Sequence, residues 1–334
     1  MPIKNKNILI VGGAGYIGSH MTAFLSRMNY TPVVLDDFST GHREAVFDAE
    51  WIEGTIANSA LLDELFSNRS FDAVMHFASF IQVGESVKFP EKYYQNNVAN
   101  TLNLLTAMLK HNVNQFIFSS TAAVYGEPQY TPIDENHPIK PINPYGFSKS
   151  MVEQMLADLH HAHGFRYAIL RYFNAAGADP AGKLCERHEP ETHLIPLVLQ
   201  VAKGQRDAIT VYGQDYSTLD GTCIRDYVHV TDLCDAHLKA LLKLEHGEKN
   251  CIYNLGTGQG YSVKQVIDAA KSITNCDIPV IYGARREGDP AILVADPTRA
   301  MRDLKWVPQY SDLNTIIQHA WDANKNGIYY CGSR

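Results

Sequence analysis

The segment NILIVGGAGYIGSH, which begins at Asn7, constrains the fold more than any other stretch of the chain. An apolar run over 8–11 enters a turn spaced Gly12-x-x-Gly15-x-x-Gly18, and an amphipathic pattern follows over 16–28. A buried strand, a glycine turn and a helix N-terminus in that order form the first βα unit of an open parallel sheet, with Tyr16 and Ile17 in the helix's first turn. Gly12 and Gly15 allow tight turning and close backbone approach, and Gly18 lets the helix pack near the strand. Helix N-termini attract anions, so the turn reads as a pyrophosphate cradle. Asp36 closes the next apolar run at the spacing expected of a ribose-binding carboxylate, and Asp37 adjoins it. With no arginine between Asp37 and Arg43, the pair would repel a 2′-phosphate, which favours NAD over NADP.

Further short apolar runs follow at 32–36, 72–77, 115–119 and 167–171, separated by helical patterns such as 90–111 and 144–163. That alternation predicts a doubly wound, Rossmann-like α/β domain over 1–174, with 230–256 returning to it. After Asn174 the rhythm changes. Loop-like 177–193, helices near 194–203, 231–244, 263–273 and 313–325, and strands near 209–212 and 226–230 follow. Residues 175–229 and 257–334 are assigned to a smaller, mixed α/β substrate lobe, with the chemistry in the crevice between lobes.

Composition excludes several classes of function. Net charge is −7 without a basic stripe, which argues against nucleic acid and anionic membranes as partners. No run approaches the roughly eighteen apolar residues that span a bilayer, and the short run at 8–11 reads as a first strand rather than a signal peptide. Cys185, Cys223, Cys234, Cys251, Cys276 and Cys331 form no C-x-x-C pair and read as reduced thiols of a cytoplasmic protein.

Tyr145 and Lys149 stand four residues apart in the 144–163 helical pattern, on one side of the helix. An ammonium there favours phenolate, lowering the tyrosine pKa and making it a proton acceptor for an alcohol. Ser119, Ser120 and Thr121 end the 115–119 run, where open α/β sheets place ligands, and offer a hydroxyl to bridge substrate and tyrosine.

This ordered set, with the strings VGGAGYIGSH, NPYGFSK, LRYFNAAGA, DGTCIRDYVHV, NLGTG and RREGD, resembles the extended short-chain dehydrogenase/reductase family across essentially the whole chain. It looks most like the branch that epimerises UDP-glucose and UDP-galactose at the sugar C4. The resemblance implies a homodimer joined through the 90–111 and 144–163 helices and a cycle with NAD retained. Tyr145, aided by Thr121, would handle the 4-hydroxyl proton, and Lys149 would hold the nicotinamide ribose. Ile56, Phe77, Asn96 and Phe173 are carried over as cofactor neighbours. Asn174, Leu194, Tyr212, Arg225, Arg286, Asp289 and Leu293 are carried over for the UDP-sugar, with Tyr212 against uracil and the arginines on the diphosphate. The competing reading pairs Arg225 with Asp226 and Arg286 with Glu287 as surface ion pairs.

Thr55 replaces a frequent aspartate near the adenine, and Ile81 replaces a lysine that some members carry. Leu293 stands where a bulky tyrosine would exclude N-acetyl sugars, so UDP-N-acetylhexosamines are an alternative substrate. The HEPETH segment and the RREGD…LVAD string also resemble members that handle UDP-xylose and UDP-arabinose. A 4,6-dehydratase needs an Asp-Glu pair after the threonine, and here Ala122 and Ala123 follow Thr121. A non-catalytic NAD-sensing protein would be expected to lose the Tyr-Lys pair. No metal is expected: His188 and His193 have the wrong interval for two ligands on one helical face, and His160, His161 and His163 read as solvated.

Overall fold

The structure, a computed structural model, describes residues 6–286 and 288–325. Glu287 and Cys331 lie outside the described residues. Seven parallel strands form the main sheet: β1 (Asn7–Val11), β2 (Thr31–Asp36), β3 (Glu50–Glu53), β4 (Ala73–His76), β5 (Gln115–Thr121), β6 (Arg166–Tyr172) and, after three strands elsewhere, the strand Asn250–Leu255. The spatial order is β3-β2-β1-β4-β5-β6 followed by Asn250–Leu255, so the order in which the chain adds strands reverses between β1 and β4 while all strands stay parallel. Successive residues bury opposite faces: Ile8, Ile10, Met75 and Ile117 lie in one core, and Leu9, Val11, Val74 and Phe116 in the other. Burial on both faces explains why these strands read as continuous apolar runs.

The helix Pro144–His163 has defined ends. The Asn143 side chain accepts from the Gly146 N–H at 2.9 Å, proline occupies the first turn, and Gly164 closes the helix at φ +68°. The expected single helix over 90–111 is instead Pro90–Tyr93, a π turn over Tyr94–Ala99 and the helix Asn100–Lys110. The π turn carries buried Asn97, which bonds both backbone groups of Phe80 and the Ser148 hydroxyl, tying the segment to the Pro144–His163 helix.

Beyond β6 a smaller set of strands forms: β7 (Asn174–Ala176), β8 (Ile209–Tyr212), β9 (Ile224–His229), then β10 as the returning Asn250–Leu255, β11 (Gly260–Ser262), β12 (Val280–Gly283) and β13 (Ile292–Leu293). β7, β9, β11 and β13 make one sheet, and β8 pairs with β12 in another. Val198, Leu199, Val266, Ile267, Ile316 and Ile317 form the core around them. The helix Thr298–Leu304 and Trp306 pack instead into the main-sheet core. Among the described residues no helix is long and apolar enough to cross a membrane, and the five cysteines there are unpaired.

Candidate active site

A cleft of about 1350 Å³ runs past the C-terminal ends of β1, β2, β4 and β5 and between the main sheet and the smaller ones. At one end the chain leaves β1 through Gly12, whose φ is +79°. A Cβ on Gly12 would lie 2.4 Å from the Ala78 nitrogen, and one on Gly18 would lie 2.1 Å from the Gly12 carbonyl. Gly15 differs: a Cβ there would meet only the Gly12 oxygen, at 3.5 Å. Gly15 caps the helix Tyr16–Arg27 with no side-chain hydrogen bond and no acidic residue in the first turn. An N-terminus with no such cap, open to a cleft, suits an anion. Tyr16 and Ile17 begin that helix at the cleft wall, and the Tyr16 hydroxyl donates to the Gly177 carbonyl at 2.8 Å.

Asp36 closes β2 at the same end. Its carboxylate accepts from the Ala14 and Phe38 N–H groups, both at 2.9 Å, which orients it across the turn. Burial raises its pKa, and those two N–H donors oppose the shift. Asp37, Thr55, Ile56, Phe77, Ile81 and Asn96 also line the cleft, Asn96 from the π turn. The residues at this end fit a dinucleotide: an open helix terminus for phosphate and an oriented carboxylate for a ribose.

Tyr145 and Lys149 face the cleft's middle from the Pro144–His163 helix. Lys149 donates from Nζ to the Ser119 carbonyl at 2.8 Å and sits 4.9 Å from the Phe118 ring centroid. Burial lowers its pKa from 10.5 to about 7, against the pull of the Glu153 carboxylate. The expected depression of the Tyr145 pKa does not occur in the protein alone. Burial raises it, and a hydrogen bond with Thr121 only partly opposes the rise. The physical reason is that desolvation of the phenolate dominates while the lysine ammonium is turned to a backbone carbonyl.

The hydroxyl cluster divides by partner. Thr121 faces Tyr145 and also accepts from the Ala123 N–H at 3.1 Å. Ser120 is committed elsewhere, donating to Glu153 Oε1 at 2.6 Å. Ser119 bonds the Tyr172 hydroxyl, which also pairs with buried His237. Tyr172, Phe80 and Asn143 line the cleft and were not anticipated. Only Asn143 carried a sequence signal, as the Asn-Pro pair that opens a helix.

At the far end Asn174 donates to the Asp226 carbonyl at 3.0 Å, and Leu194 opens the helix Leu194–Ala202. Arg225 pairs with Asp289 rather than with its neighbour Asp226. Asp226 is fully buried and accepts from Thr257, Gly258 and Ala295 N–H groups. The Arg286 guanidinium lies 4.1 Å from the Tyr212 ring centroid. Phe173 and Leu293 pack together against Ala122, Val124, Tyr125 and Ile133, forming one wall near Thr121. Every residue singled out in the sequence as catalytic, cofactor-binding or substrate-binding lines this one cleft.

Residues 8–256 match the model of the NAD dependent epimerase/dehydratase family. The chain is 51% identical over 320 residues to the UDP-glucose 4-epimerase of Rhizobium leguminosarum bv. trifolii, covering 96% of this chain and 98% of that one. It superposes on the crystal structure of the Brucella ovis UDP-glucose 4-epimerase in complex with NAD with TM-score 0.93 and 49% identity, covering 95% of this chain and 97% of that chain. The Bifidobacterium longum UDP-glucose 4-epimerase in complex with NAD+ and UDP gives TM-score 0.91 at 37% identity, over 96% and 99% of the two chains. Agreement of this kind runs through both the parallel sheet and the smaller ones, and the chain belongs to the NAD dependent epimerase/dehydratase family.

Proposed function

We propose that this chain interconverts UDP-glucose and UDP-galactose by oxidation at sugar C4, turning of the 4-keto sugar and reduction from the opposite face. One observation carries the reading. The Tyr145–Thr121 pair opens midway along a single cleft, between an uncapped helix N-terminus and the Arg225, Arg286 and Asp289 group. NAD held along the Gly12–Asp36 end would accept and return the hydride and, when oxidised, bring a positive charge beside Tyr145. Tyr145 takes the 4-hydroxyl proton and later returns it, and Thr121 holds the same oxygen. Lys149, with a proton to donate, holds a ribose hydroxyl and adds to the field that favours phenolate.

Gly15 admits the pyrophosphate, Asp36 accepts from the adenosine ribose, and Asp37 disfavours a 2′-phosphate. Tyr16, Ile17, Gly18, Ile56, Phe77, Asn96 and Phe173 complete the cofactor wall. Asn174, Leu194, Tyr212, Arg225, Arg286 and Asp289 hold the UDP, and Leu293 bounds the sugar. Anchoring by the nucleotide leaves the hexose free to turn, so remote binding energy is used for positioning. On this reading the main-sheet lobe carries the cofactor and the smaller lobe the nucleotide sugar, in a homodimer.

Proton NMR tests the proposal with UDP-galactose, UDP-N-acetylgalactosamine and UDP-xylose in separate tubes. Appearance of UDP-glucose from UDP-galactose is expected, and conversion in the other tubes reports what Leu293 admits. No epimer in any tube, from folded protein loaded with NAD, would reject the assignment.

A further inference from the structure

The loop between β7 and the helix Leu194–Ala202 brings together four metal-ligating side chains that the epimerase reaction does not use. Residues 188–193 are not helical, so the interval of five residues does not set the two imidazoles apart. The rings of His188 and His193 lie 5.0 Å apart between centroids, and their Nδ1 atoms both face the carboxylates of Glu186 and Glu191. His193 Nδ1 lies 2.8 Å from Glu186 Oε1 and 3.2 Å from Glu191 Oε1. His188 Nδ1 lies 3.4 Å from Glu186 Oε1 and 3.6 Å from Glu191 Oε2.

Three features make this more than a cluster of charge. Bonds of about 2.0 Å to a tetrahedral centre place ligand atoms roughly 3.3 Å apart, and the four nitrogen–oxygen separations bracket that value. Both Nδ1 atoms are sealed from solvent, and neither makes a well-aligned hydrogen bond to the carboxylates beside it. The Glu191 carboxylate is itself held, Oε1 accepting from the Thr192 and His193 N–H groups at 2.8 and 2.9 Å, as an outer shell holds a ligand. The carboxylates are almost fully buried, with side chains 7% and 6% exposed.

We propose that Glu186, His188, Glu191 and His193 form a binding site for a divalent first-row cation, zinc by ligand chemistry, that pins this loop beside the cleft. Two imidazole nitrogens and two carboxylate oxygens close a four-coordinate shell with no position left for water, which makes the role structural. Tyr16 packs edge-on to His188 at 6.4 Å and holds Gly177, and Leu194 follows His193 directly. The ion therefore sits where it would brace the glycine-turn helix against the helix at the far end of the cleft.

The test uses the full chain, chelator-treated, exposed to ZnCl2 and dialysed, with bound metal measured by plasma mass spectrometry. About one zinc per chain is expected, falling at least tenfold in His188→Ala/His193→Ala and unchanged in His161→Ala/His163→Ala, which removes two exposed histidines. X-ray absorption on the unaltered chain is expected to show only nitrogen and oxygen neighbours near about 2.0 Å, with imidazole outer-shell scattering. Failure to retain zinc, or zinc that follows the exposed histidines, would overturn the site, leaving the four groups as a buried ion-pair quartet. A sulfur neighbour near about 2.3 Å would overturn it too, placing the metal on a cysteine such as Cys185.

Discussion

The three glycines of the N-terminal turn are glycine for different reasons, and that separates fold from ligand. Gly12 and Gly18 are required by the protein itself, since a Cβ at either would run into backbone. Gly15 has room for a methyl group and faces the cleft, so under the proposed function its constraint comes from the cofactor. Gly18→Ala is expected to lose soluble folded protein. Gly15→Ala should melt close to the parent without nucleotide and bind NAD at least tenfold more weakly by calorimetry. Equal NAD affinity in the two proteins would remove the pyrophosphate from that turn. Thr121→Val deletes the hydrogen bond that opposes the upward shift of Tyr145. Hydrogen bonds to a charged group contribute about 1.5–3 kcal/mol, so kcat should fall by roughly 10- to 100-fold and the acid limb of its pH profile should move up. An unshifted limb would take Thr121 away from the proton-accepting phenol. The sequence reveals Tyr145 and Lys149 because helical spacing alone places them together. It hides the direction of the Tyr145 shift and the commitment of Ser120, since both depend on burial and on partners distant along the chain.

The Pro144–His163 helix owes its position to a charge pair as well as to packing. Glu153 bonds Arg171 of β6 through both oxygens, at 3.0 and 2.6 Å, and receives the Ser120 hydroxyl of β5. Glu153→Gln leaves the Arg171 guanidinium, 3% exposed, without its counter-charge. Loss of about 3 kcal/mol or more is expected in urea unfolding. A loss below roughly 1 kcal/mol would mean that the pair does not hold the helix. On the same helix Lys149 provides a pH signature. Its pKa falls from 10.5 unfolded to about 7 folded, so the unfolded chain binds the proton more tightly between those values. Its contribution to stability therefore rises as pH climbs from about 7 towards 10. Nucleotide-free Lys149→Met should melt above the parent at pH 7, with the gap narrowing by about pH 9.5. A gap independent of pH would contradict a depressed lysine. At this scale the main sheet apart from its edge strand β3 was legible, because its inner strands are mostly apolar runs. The π turn, β3, β11 and β13 were not: short strands of two to four residues carry no period, and a π turn keeps helical composition.

On the molecule as a whole, the helices behind the cleft leave an apolar face exposed. Val87 and Phe89 beside the segment at Pro90–Tyr93, Leu102 on the helix Asn100–Lys110, and Phe147 and Met151 on the Pro144–His163 helix are each 41–62% exposed. These elements pack on one another, so their outward residues belong to one layer of helices. Contiguous exposed patches of large apolar side chains mark contact surfaces, and helix layers pair by interdigitating such ridges. A homodimer across this layer needs about 1,200 Å² or more of buried surface to persist at micromolar concentration. Light scattering should give twice the 37.3 kDa chain mass for the parent protein. Leu102→Glu/Met151→Glu, which places charge in the centre of the layer, should give the single-chain mass with its melting temperature little changed. Because every proposed catalytic and binding residue comes from one chain, kcat should survive the dissociation. Loss of kcat in a folded single chain would mean that the helix bearing Tyr145 and Lys149 depends on the second copy for its position. A parent protein at the single-chain mass would remove the dimer itself.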